Sequence, residues 1–279
     1  MRITHLRNAT FLLEIAEDKI LVDPMLGDAG SLPAFRVKGE KRRNPLVELP
    51  NNAMQCFAAA EQLLLTHEHP DHFDKPALQF FREHRTPCWV SPYDRFNLKR
   101  KGLNVVDLPD DSNGLTIEVI PAKHGHGLMG WIMGPVAGYY LRHPEHPSVY
   151  ITGDTVYSGP VKEALQQLRP DVVIAPAGTA NFGFGKDLMF SQDELLQMVQ
   201  DSEATFVFNH LEAIDHCPLT RKKLMDMMRE IGAGDRVLVP EDGESLEIQP
   251  ADFRSVPARP SKAGHRRLQK LATALLTGT

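Results

Sequence analysis

The amino-acid sequence predicts a layered α/β fold, because strand-like and helix-like segments interleave along most of the chain. The first 23 residues instead have the pattern of three consecutive strands joined by turns, so the sheet they form is not wholly parallel. Acidic and histidine side chains stand at or just after the ends of apolar, β-rich runs, at Asp23, His67, His124, Asp154 and His210. Groups carried on strand ends are held by a rigid sheet, which is what a preorganised binding site needs.

The N-terminal region is predicted to be a meander over residues 2–23, with strands at ITHL, FLLEI and ILVD and a turn at residues 17–19. Residues 25–52 are rich in glycine, proline and charge and show no clear period, so we predict a long loop. Loops of this length in compact domains are usually functional or disordered.

The central region is predicted to alternate helices with strands. Asp74 is a candidate N-cap for a helix over PALQFFREH, with Pro76 near its first turn. Further helices are predicted at 52–60, 160–168 and 191–201, and a glycine-rich loop at 178–186. Strands are predicted around LLLT, CWV, NVVDL, LTIEVI, VAGYYLR, SVYIT, DVVIA and TFVFNH.

Length and composition are those of an ordinary globular protein with one large domain or two small ones. Of 279 residues, 42% are hydrophobic and 24% are charged, which argues against wholesale disorder. The formal net charge of −5 gives no general reason to expect nucleic acid as a partner. Three widely spaced cysteines, no signal-peptide pattern and no apolar window of about 18 residues predict a soluble, cytoplasmic protein with reduced thiols.

The C-terminal residues 251–279 differ from the rest of the chain in charge, with six lysine or arginine residues against one acid. The stretch RRLQKLATALL has an amphipathic pattern. We expect residues 1–250 to form the main domain. The basic extension at 251–279 is expected to be a helix packed on that domain, with an oligomer contact or a frayed tail as alternatives.

The densest cluster of metal-ligand residue types is H-x-H-x-D-H at residues 67–72, which suits zinc, iron or manganese. His67 and His69 lie two apart on an extended segment, so they point to the same side and can share one ion. Asp71 and His72 are adjacent and diverge, so they are free to serve a second ion. The alternatives are a polar surface loop or a mononuclear structural site, but structural zinc sites commonly use cysteine and none is nearby.

This run resembles the signature of the metallo-β-lactamase superfamily, and the other motifs of that family follow in the expected order over residues 2–248. They are LVDP with Asp23, PAKHGHG with His124, ITGDT with Asp154 and FVFNH with His210. The resemblance implies a four-layer αββα sandwich, classed α/β or α+β by different schemes. Its two mixed sheets would carry the metals at one edge.

The resemblance also implies two divalent ions, zinc first, with manganese or iron as alternatives. The implied ligands are His67, His69 and His124 for the first ion, Asp71, His72 and His210 for the second, and Asp154 for both. Asp23 resembles a buried aspartate of the family that orients ligands, and a plain turn residue is its alternative.

Two of these ligand positions have competitors nearby in the sequence. His126 competes with His124, which we favour because it is nearer the strand end. His216 competes with His210, and we expect His216 in a loop beyond the strand, near the substrate. The remaining histidines are expected to be surface or core residues: His5, His84, His143, His146 and His265.

The implied chemistry is hydrolysis, with a metal-bridging hydroxide attacking an ester, lactone or phosphodiester-type bond of a small molecule. Asp71 or Asp154 would relay the proton. NATFLLE and KILVDPML resemble the ascorbate-6-phosphate lactonase-like and N-acylphosphatidylethanolamine phospholipase-like branch. The chain departs from this branch at Arg7-Asn8, where members often carry Gly-His, and after His124, where phospholipase-type members show Trp-Ser.

The candidate pocket walls are two loops and the residues after His210. Residues 25–50 and the loop GTANFGFGKDLM would form the walls, with the basic residues Arg36, Lys41, Arg42 and Arg43. Basic groups beside metals suit phosphate or carboxylate, and solvated loop charges are the alternative. Glu212 and Asp215 are candidates for proton transfer or for turn roles.

Three other functions compete with the hydrolase hypothesis. Iron-containing members of the same fold act as oxygenases or redox enzymes, and nuclease members act on nucleic acid, for which the basic C-terminal residues 251–279 would be the only sign. A non-catalytic protein that kept its metals is the third. We expect a small-molecule substrate and no nucleic acid, with a homo-oligomer as an open alternative.

Overall fold

The computed structural model describes residues 1–109 and 114–249. Its strands, in chain order, are β1 (Arg2–Arg7), β2 (Thr10–Ile15), β3 (Asp18–Val22), β4 (Gln62–Leu65), β5 (Pro87–Val90), β6 (Asn104–Val105), β7 (Thr116–Lys123), β8 (Pro135–His143), β9 (His146–Ile151), β10 (Val172–Pro176), β11 (Thr205–Asn209), β12 (Val237–Leu238) and β13 (Ser245–Glu247). Its helices are α1 (Ala53–Ala59), α2 (Lys75–His84), α3 (Arg95–Arg100), α4 (Gly127–Ile132), α5 (Gly159–Leu168), α6 (Gln192–Gln200) and α7 (Arg221–Glu230).

The strands form two mixed sheets. The first has the order β13-β1-β2-β3-β4-β5-β6, antiparallel from β13 to β3 and parallel from β3 to β6. The second has the order β12-β11-β10-β9-β8-β7, parallel from β12 to β9 and antiparallel from β9 to β7. The predicted N-terminal meander is therefore confirmed, and so is the mixed character of the sheets.

Side-chain alternation along the central strands produces four layers. In β4, Leu64 packs between the sheets while Leu63 and Leu65 face a helical layer. In β10, Ile174 packs between the sheets while Val173 faces the helices on the other side. Residues of α1, α2 and α3 cover the first sheet, and residues of α5, α6 and α7 cover the second. This is the expected αββα sandwich.

Capping explains why the predicted helices begin where they do. The Asp74 carboxylate accepts a hydrogen bond from the amide of Ala77 at 2.9 Å, and Pro76 lies in the first turn of α2, as predicted. At the start of α6, Ser191 and Glu194 form a reciprocal capping box. These caps fix the helices against strand ends that carry the candidate site.

Some parts of the structure differ from the sequence-based expectations. No helix was predicted over residues 127–132, but they form the short helix α4. The strand expected over NVVDL is reduced to Asn104–Val105, because β6 is an edge strand with a single partner, β5. The expected C-terminal helix at 251–279 lies outside the described residues. Among the described helices, none is long and apolar enough to span a membrane.

The long loop at 25–52 is fixed by hydrogen bonds, although its only strand pairing is an isolated bridge between Leu32 and Asn44. The buried guanidinium of Arg7 donates to the carbonyls of Met25 at 2.9 Å and Gly27 at 2.8 Å. Further along, the Asn44 side chain donates to the carboxylate of Asp215 at 3.0 Å. The loop is thereby tied to both sheets near the strand ends.

Candidate metal centre

The predicted site residues converge because strands of the same direction end at the same edge. His124, Asp154 and His210 follow β7, β9 and β11, which run parallel to one another through the pairings of the second sheet. Asp23 and His67 follow β3 and β4, which are paired in parallel in the first sheet. The sheet edges therefore bring residues far apart in sequence into one buried cluster.

The first ligand group consists of His67, His69 and His124, whose candidate ligand atoms lie within 4.8 Å of one another. The His67 Nε2 and His69 Nδ1 atoms are 2.9 Å apart. His124 donates from Nδ1 to the carbonyl of Leu188 at 2.8 Å, so its Nε2 is left facing the cluster. The other nitrogen of His67, Nδ1, lies 3.0 Å from the Thr66 hydroxyl. Each fixed ring nitrogen orients the opposite one as a metal ligand.

The second ligand group consists of Asp71, His72 and His210, again within 4.8 Å. His210 Nε2 lies 3.3 Å from Asp71 Oδ2, and its Nδ1 lies 3.4 Å from the thiol of Cys217. His72 Nδ1 lies 2.9 Å from a carboxylate oxygen of Asp23. In this group, too, an outer contact holds one nitrogen of each ring while the other points inward.

Asp154 lies between the two ligand groups. Its Oδ1 is 3.3 Å from His72 Nε2, while its Oδ2 is 3.5 Å from His124 Nε2 and 3.7 Å from His210 Nε2. The carboxylate therefore faces residues of both groups at once. This is the position in which a carboxylate can bridge two ions.

Asp23 is almost fully buried and is bonded on both oxygens. It accepts from the Thr66 amide at 2.8 Å and from the Thr66 hydroxyl at 2.6 Å, in addition to its contact with His72. Its backbone has a φ of +44°, which is rare for an aspartate. Asp23 thus connects the end of β3 to the start of the histidine run and orients His72.

Electrostatics differ between the two ligand groups. Burial lowers the pKa of His67 and His69, and it lowers the pKa of His124 to about 4. Burial also disfavours charge on His72, but the carboxylates of Asp154 and Asp23 outweigh it and raise the pKa of His72 to about 10. The histidines of the first group are therefore neutral near pH 7, whereas His72 is protonated at that pH.

In the other two residues of the second group, His210 and Asp71, neighbouring charges also outweigh the effect of burial on the pKa. Burial opposes charge on His210, but Asp154 and Cys217 raise its pKa well above the usual value. For Asp71, contacts with His210 and the charge of His72 outweigh burial and lower the pKa. The carboxylates thus stay ionised and concentrate negative potential at the centre of the cluster.

The inward atoms fit a bound cation. His72 Nε2, Asp154 Oδ1 and His210 Nε2 are buried and have no hydrogen-bond partner in the described structure. Buried polar atoms without partners are rare in proteins and call for a specific explanation. Imidazole nitrogens with carboxylate oxygens are a donor set for zinc and similar divalent ions, so these His and Asp clusters are able to bind metal.

The two competing histidines lie outside the metal-ligand groupings found among the described residues. His126 points to Glu194 at the start of α6, 3.0 Å away. His216 is buried beside the second ligand group, packed edge-on against Phe35 and stacked on Phe182. Its burial lowers its pKa, and the charge of Asp71 acts in the opposite direction. His216 is therefore a buried neighbour of the second ligand group and not one of its members.

The other histidines within the described residues lie away from the ligand groups. His5 pairs with Asp242 at 3.2 Å, and His84 stacks on Phe80 at the end of α2. His143 and His146 face each other across the hairpin between β8 and β9. His265 is outside the described residues.

Three of the polar residues expected on the pocket walls are engaged with the protein itself, whereas the Nε atom of a fourth, Arg36, is buried and has no hydrogen-bond partner in the described structure. Arg43 donates to the carbonyls of Gly30 and Ser31, and Arg42 lies 3.9 Å from Glu40. Glu212 pairs with Arg221 at 2.7 Å.

The carboxylate of Asp215 is engaged in hydrogen bonds within the protein. It accepts hydrogen bonds from the amides of Phe35 and Arg36 and from the side chain of Asn44. It therefore holds the loop at 25–52 against the residues that follow His210.

Three residues that contact the cluster were not anticipated from sequence. Asn8 donates from its side chain to the carbonyl of Asp71 at 2.9 Å, while its own carbonyl accepts from the amide of His210 at 2.8 Å. Thr66 bonds Asp23 and His67, and Cys217 contacts His210. The only sequence signal was for Asn8, in the departure from the Gly-His pattern of the resembling branch.

Comparisons with known proteins agree with this architecture. The family model described as "Beta-lactamase superfamily domain" matches residues 18–210. The UPF0173 protein YddR of Bacillus subtilis is 30% identical over 252 residues, which cover 88% of this chain and 99% of that protein.

Two solved structures extend the likeness to the whole fold. An isothiocyanate hydrolase from Delia radicum gut bacteria has a TM-score of 0.83 and 30% identity, covering 89% of this chain and 99% of that chain. A structure from Veillonella parvula, described as a possible metal-dependent hydrolase, has a TM-score of 0.81 and 27% identity with the same coverage. With the strand-end His and Asp cluster, these matches establish that the chain belongs to the metallo-β-lactamase superfamily and is a metal-dependent hydrolase.

Proposed function

We propose that this hydrolase works with two divalent metal ions, most simply zinc, and acts on a small uncharged molecule with an electrophilic carbon, such as an ester or lactone. The observation that carries the proposal is the set of buried inward atoms without partners, His72 Nε2, Asp154 Oδ1 and His210 Nε2. All three lie in or beside the second ligand group, while His67, His69 and His124 form a separate group whose candidate ligand atoms lie within 4.8 Å of one another, so the two groups together favour two ions. His67, His69 and His124 would hold the first ion and Asp71, His72 and His210 the second, with Asp154 shared.

A pair of such ions supplies a water of lowered pKa as the nucleophile and polarises the oxygen of the bond to be broken. The protein side chains do the rest. Asp71 and Asp154 remain ionised because neighbouring histidines outweigh the effect of burial on their pKa. An ionised carboxylate at the centre of the cluster can accept the proton of the attacking water and pass it to the leaving group.

The surroundings of the cluster favour carbon electrophiles over phosphodiesters. Partly buried Phe35, Phe182, Met129 and Met133 pack on one apolar cluster, and Phe35 and Phe182 contact His216, the residue before Cys217. Arg43, one of the basic residues of the loop at 25–52, is bound to backbone carbonyls of that loop. Apolar surroundings of this kind suit an uncharged substrate better than an anionic one.

A second candidate reaction is the hydrolysis of isothiocyanates. The observation that favours it is the structure of an isothiocyanate hydrolase with 30% identity over 89% of this chain. An isothiocyanate also presents an uncharged electrophilic carbon, and addition of water to that carbon releases an amine and carbonyl sulfide. The proposed site therefore needs no additional group for this reaction.

The test measures metal content and hydrolysis together. We expect purified protein to contain close to two equivalents of a transition metal by mass spectrometry. It should hydrolyse 4-nitrophenyl acetate, a simple lactone or benzyl isothiocyanate much faster than bis(4-nitrophenyl) phosphate. A single equivalent of metal in fully active protein would contradict the dinuclear proposal, and a preference for the phosphodiester would contradict the substrate class.

A matched pair of histidine variants separates ligand loss from nonspecific damage. His210→Ala should lose one metal equivalent and most of the hydrolysis. His126→Ala serves as the control, because this half-exposed histidine contacts Glu194 and lies in none of the ligand groups. Equal metal loss in the two variants would count against the assignment of His210.

A further inference from the structure

Exposed apolar side chains are concentrated near the metal centre. Among the described residues, five of the eight large apolar side chains classed as exposed come from three short segments: Leu128, Trp131 and Ile132 on α4, Val37 in the loop at 25–52, and Phe184. We call these five residues the apolar rim. Each is more than half exposed. Single exposed apolar residues are ordinary, but a group of them marks a binding surface.

The rim is continuous with the walls of the metal centre. The amides of Val37 and Lys38 both donate to the carbonyl of Phe182 at 3.0 Å, so the loop at 25–52 is fixed to the segment that carries Phe184. Phe182 in turn stacks on His216, the residue before Cys217, whose thiol lies 3.4 Å from His210 Nδ1. One side of the rim is thus joined to the second ligand group through Phe182, His216 and Cys217.

Helix α4 brings the other side of the rim to the first ligand group. The backbone of Met133, at the end of α4, interacts electrostatically with the ring of His69. Met129 and Met133 pack on the apolar cluster that also receives Phe35 and Phe182. The inward face of α4 is therefore occupied, and Leu128, Trp131 and Ile132 are left on its exposed face.

The position of α4 depends on glycines within the helix and on both sides of it. Gly125 has a φ of +103° and Gly134 a φ of +82°, so glycine carries the sharp backbone turns on both sides of the helix. A Cβ at Gly130 would lie 2.5 Å from the carbonyl oxygen of Gly125, so this close fold requires glycine. The chain uses these glycines to present an apolar helix directly after the candidate ligand His124.

We propose that the apolar rim binds the apolar part of the substrate while the electrophilic carbon reaches the metal centre. This inference rests on the proposed function and narrows its substrate class to molecules that combine a small reactive group with an alkyl or aryl substituent. The occupant is argued from continuity with the metal centre. An apolar surface joined to a polar reaction centre matches a molecule with both parts.

The first test is a chain-length series of 4-nitrophenyl acetate, butyrate and hexanoate with the metal-loaded protein. We expect kcat/KM to rise about two- to fourfold per methylene group, because each methylene leaves water on binding. The double variant Trp131→Ser/Ile132→Ser should lose most of that chain-length dependence. Met54→Ser is the matched control, since Met54 is an exposed apolar residue on α1 outside the rim. A dependence unchanged in the double variant would overturn the inference.

The second test does not depend on hydrolysis. The protein has two tryptophans, of which Trp89 is buried and Trp131 is exposed. We expect 1-hexanol, but not methanol at the same concentration, to shift the exposed tryptophan emission to shorter wavelength, and Trp131→Ser to abolish the shift. If no ester is hydrolysed, the proposed function fails while this titration still decides the inference. No shift with hexanol would overturn it.

Two other occupants of the rim give distinct outcomes. A dimer by light scattering that becomes monomeric with Trp131→Ser would assign the rim to a second copy of the chain. Flotation with phosphatidylcholine vesicles that is lost in the same variant would assign it to a lipid surface. Either result would overturn the proposal, and their absence together with the chain-length dependence supports it.

Discussion

The two ligand groups of the metal centre are built from different chemistry. His67, His69 and His124 are three neutral imidazoles, supported by the Thr66 hydroxyl and a backbone carbonyl. The second group contains the carboxylate of Asp71, and its histidines rest on a carboxylate and a thiol. Burial lowers the pKa values of the histidines in the first group. In the second group, the charges near His72 and His210, above all that of Asp154, outweigh burial and raise their pKa values.

This difference affects how each group would take up an ion. Neutral imidazoles can bind a metal without losing a proton, whereas histidines held charged by carboxylates must release protons first. Asp154 belongs to neither side of this comparison, because its carboxylate faces residues of both groups. The two groups are therefore expected to differ in pH dependence and in sensitivity to their supporting residues.

The largest effect should follow from removing the carboxylate of Asp154, which faces both ligand groups. We expect Asp154→Ala to lower hydrolysis by at least about 10³-fold, because it removes both the shared ligand and a charge-stabilising group. Metal content by mass spectrometry should fall to one equivalent or less. Two retained equivalents with unimpaired hydrolysis would show that Asp154 is not shared. Because the variant removes one of the two carboxylates near His72 and one of the two near His210, circular dichroism should accompany the assay to check folding.

The second prediction concerns pH. The first group is neutral near pH 7, because burial lowers the pKa of His67 and His69 below the usual value and that of His124 to about 4, so its affinity for zinc should change little between pH 7 and 8. His72 has a pKa raised to about 10, so at pH 7 it carries a proton that an ion must displace. Affinity of the second group should therefore rise with pH, by about tenfold per unit for each displaced proton.

Calorimetry in buffers of different ionisation enthalpy measures this proton release. We expect close to zero protons for the tighter equivalent of zinc and one to two for the weaker equivalent, the second proton coming from His210. Equal proton release for the two equivalents would remove the distinction between the groups.

The residues that the structure brings together in the cluster could be found from the sequence because they are encoded locally, and their role as metal ligands stays a prediction. Each of Asp23, His67, His124, Asp154 and His210 stands at or just after a strand end, and strand ends are recognisable from apolar runs. The sandwich itself followed from a resemblance spread over many motifs. Helix α4 was missed because its glycines conceal a helical period.

Contacts between distant residues could not be predicted in the same way. Asn8 reaches Asp71 and the backbone of His210, and nothing in the neighbourhood of Asn8 in the chain marks these partners. Cys217 looked like an ordinary buried cysteine, although it contacts His210. Supporting contacts of this kind depend on how the two sheets meet, which only the folded structure specifies.

The third prediction tests the support of His72. Asp23→Asn keeps the size of the side chain but removes the carboxylate that lies 2.9 Å from His72 Nδ1 and orients the ring, a loss that we expect to outweigh the easier deprotonation of His72. We expect the second equivalent of zinc to bind about 10- to 100-fold more weakly, with the first equivalent nearly unchanged. Competition with a chromogenic chelator gives both affinities. Equal weakening of both equivalents would show that Asp23 supports the whole cluster.

The smallest effect is expected at Cys217, where the support is a neutral thiol rather than a carboxylate. Its Sγ lies 3.4 Å from His210 Nδ1, and a Cβ added at Gly178 would come within 2.8 Å of that sulfur, so the thiol is held in a confined position. A thiol is a weak hydrogen-bond partner, so Cys217→Ser should keep the affinity for the second zinc within about tenfold, and Cys217→Ala should weaken it more than Cys217→Ser does. The same chelator competition measures both variants, and thermal unfolding of the metal-free protein reports any loss of packing. A Cys217→Ala variant that binds zinc as tightly as the wild type would show that the thiol only fills space. His210 would then be positioned by its backbone, through the hydrogen bond that its amide donates to the Asn8 carbonyl.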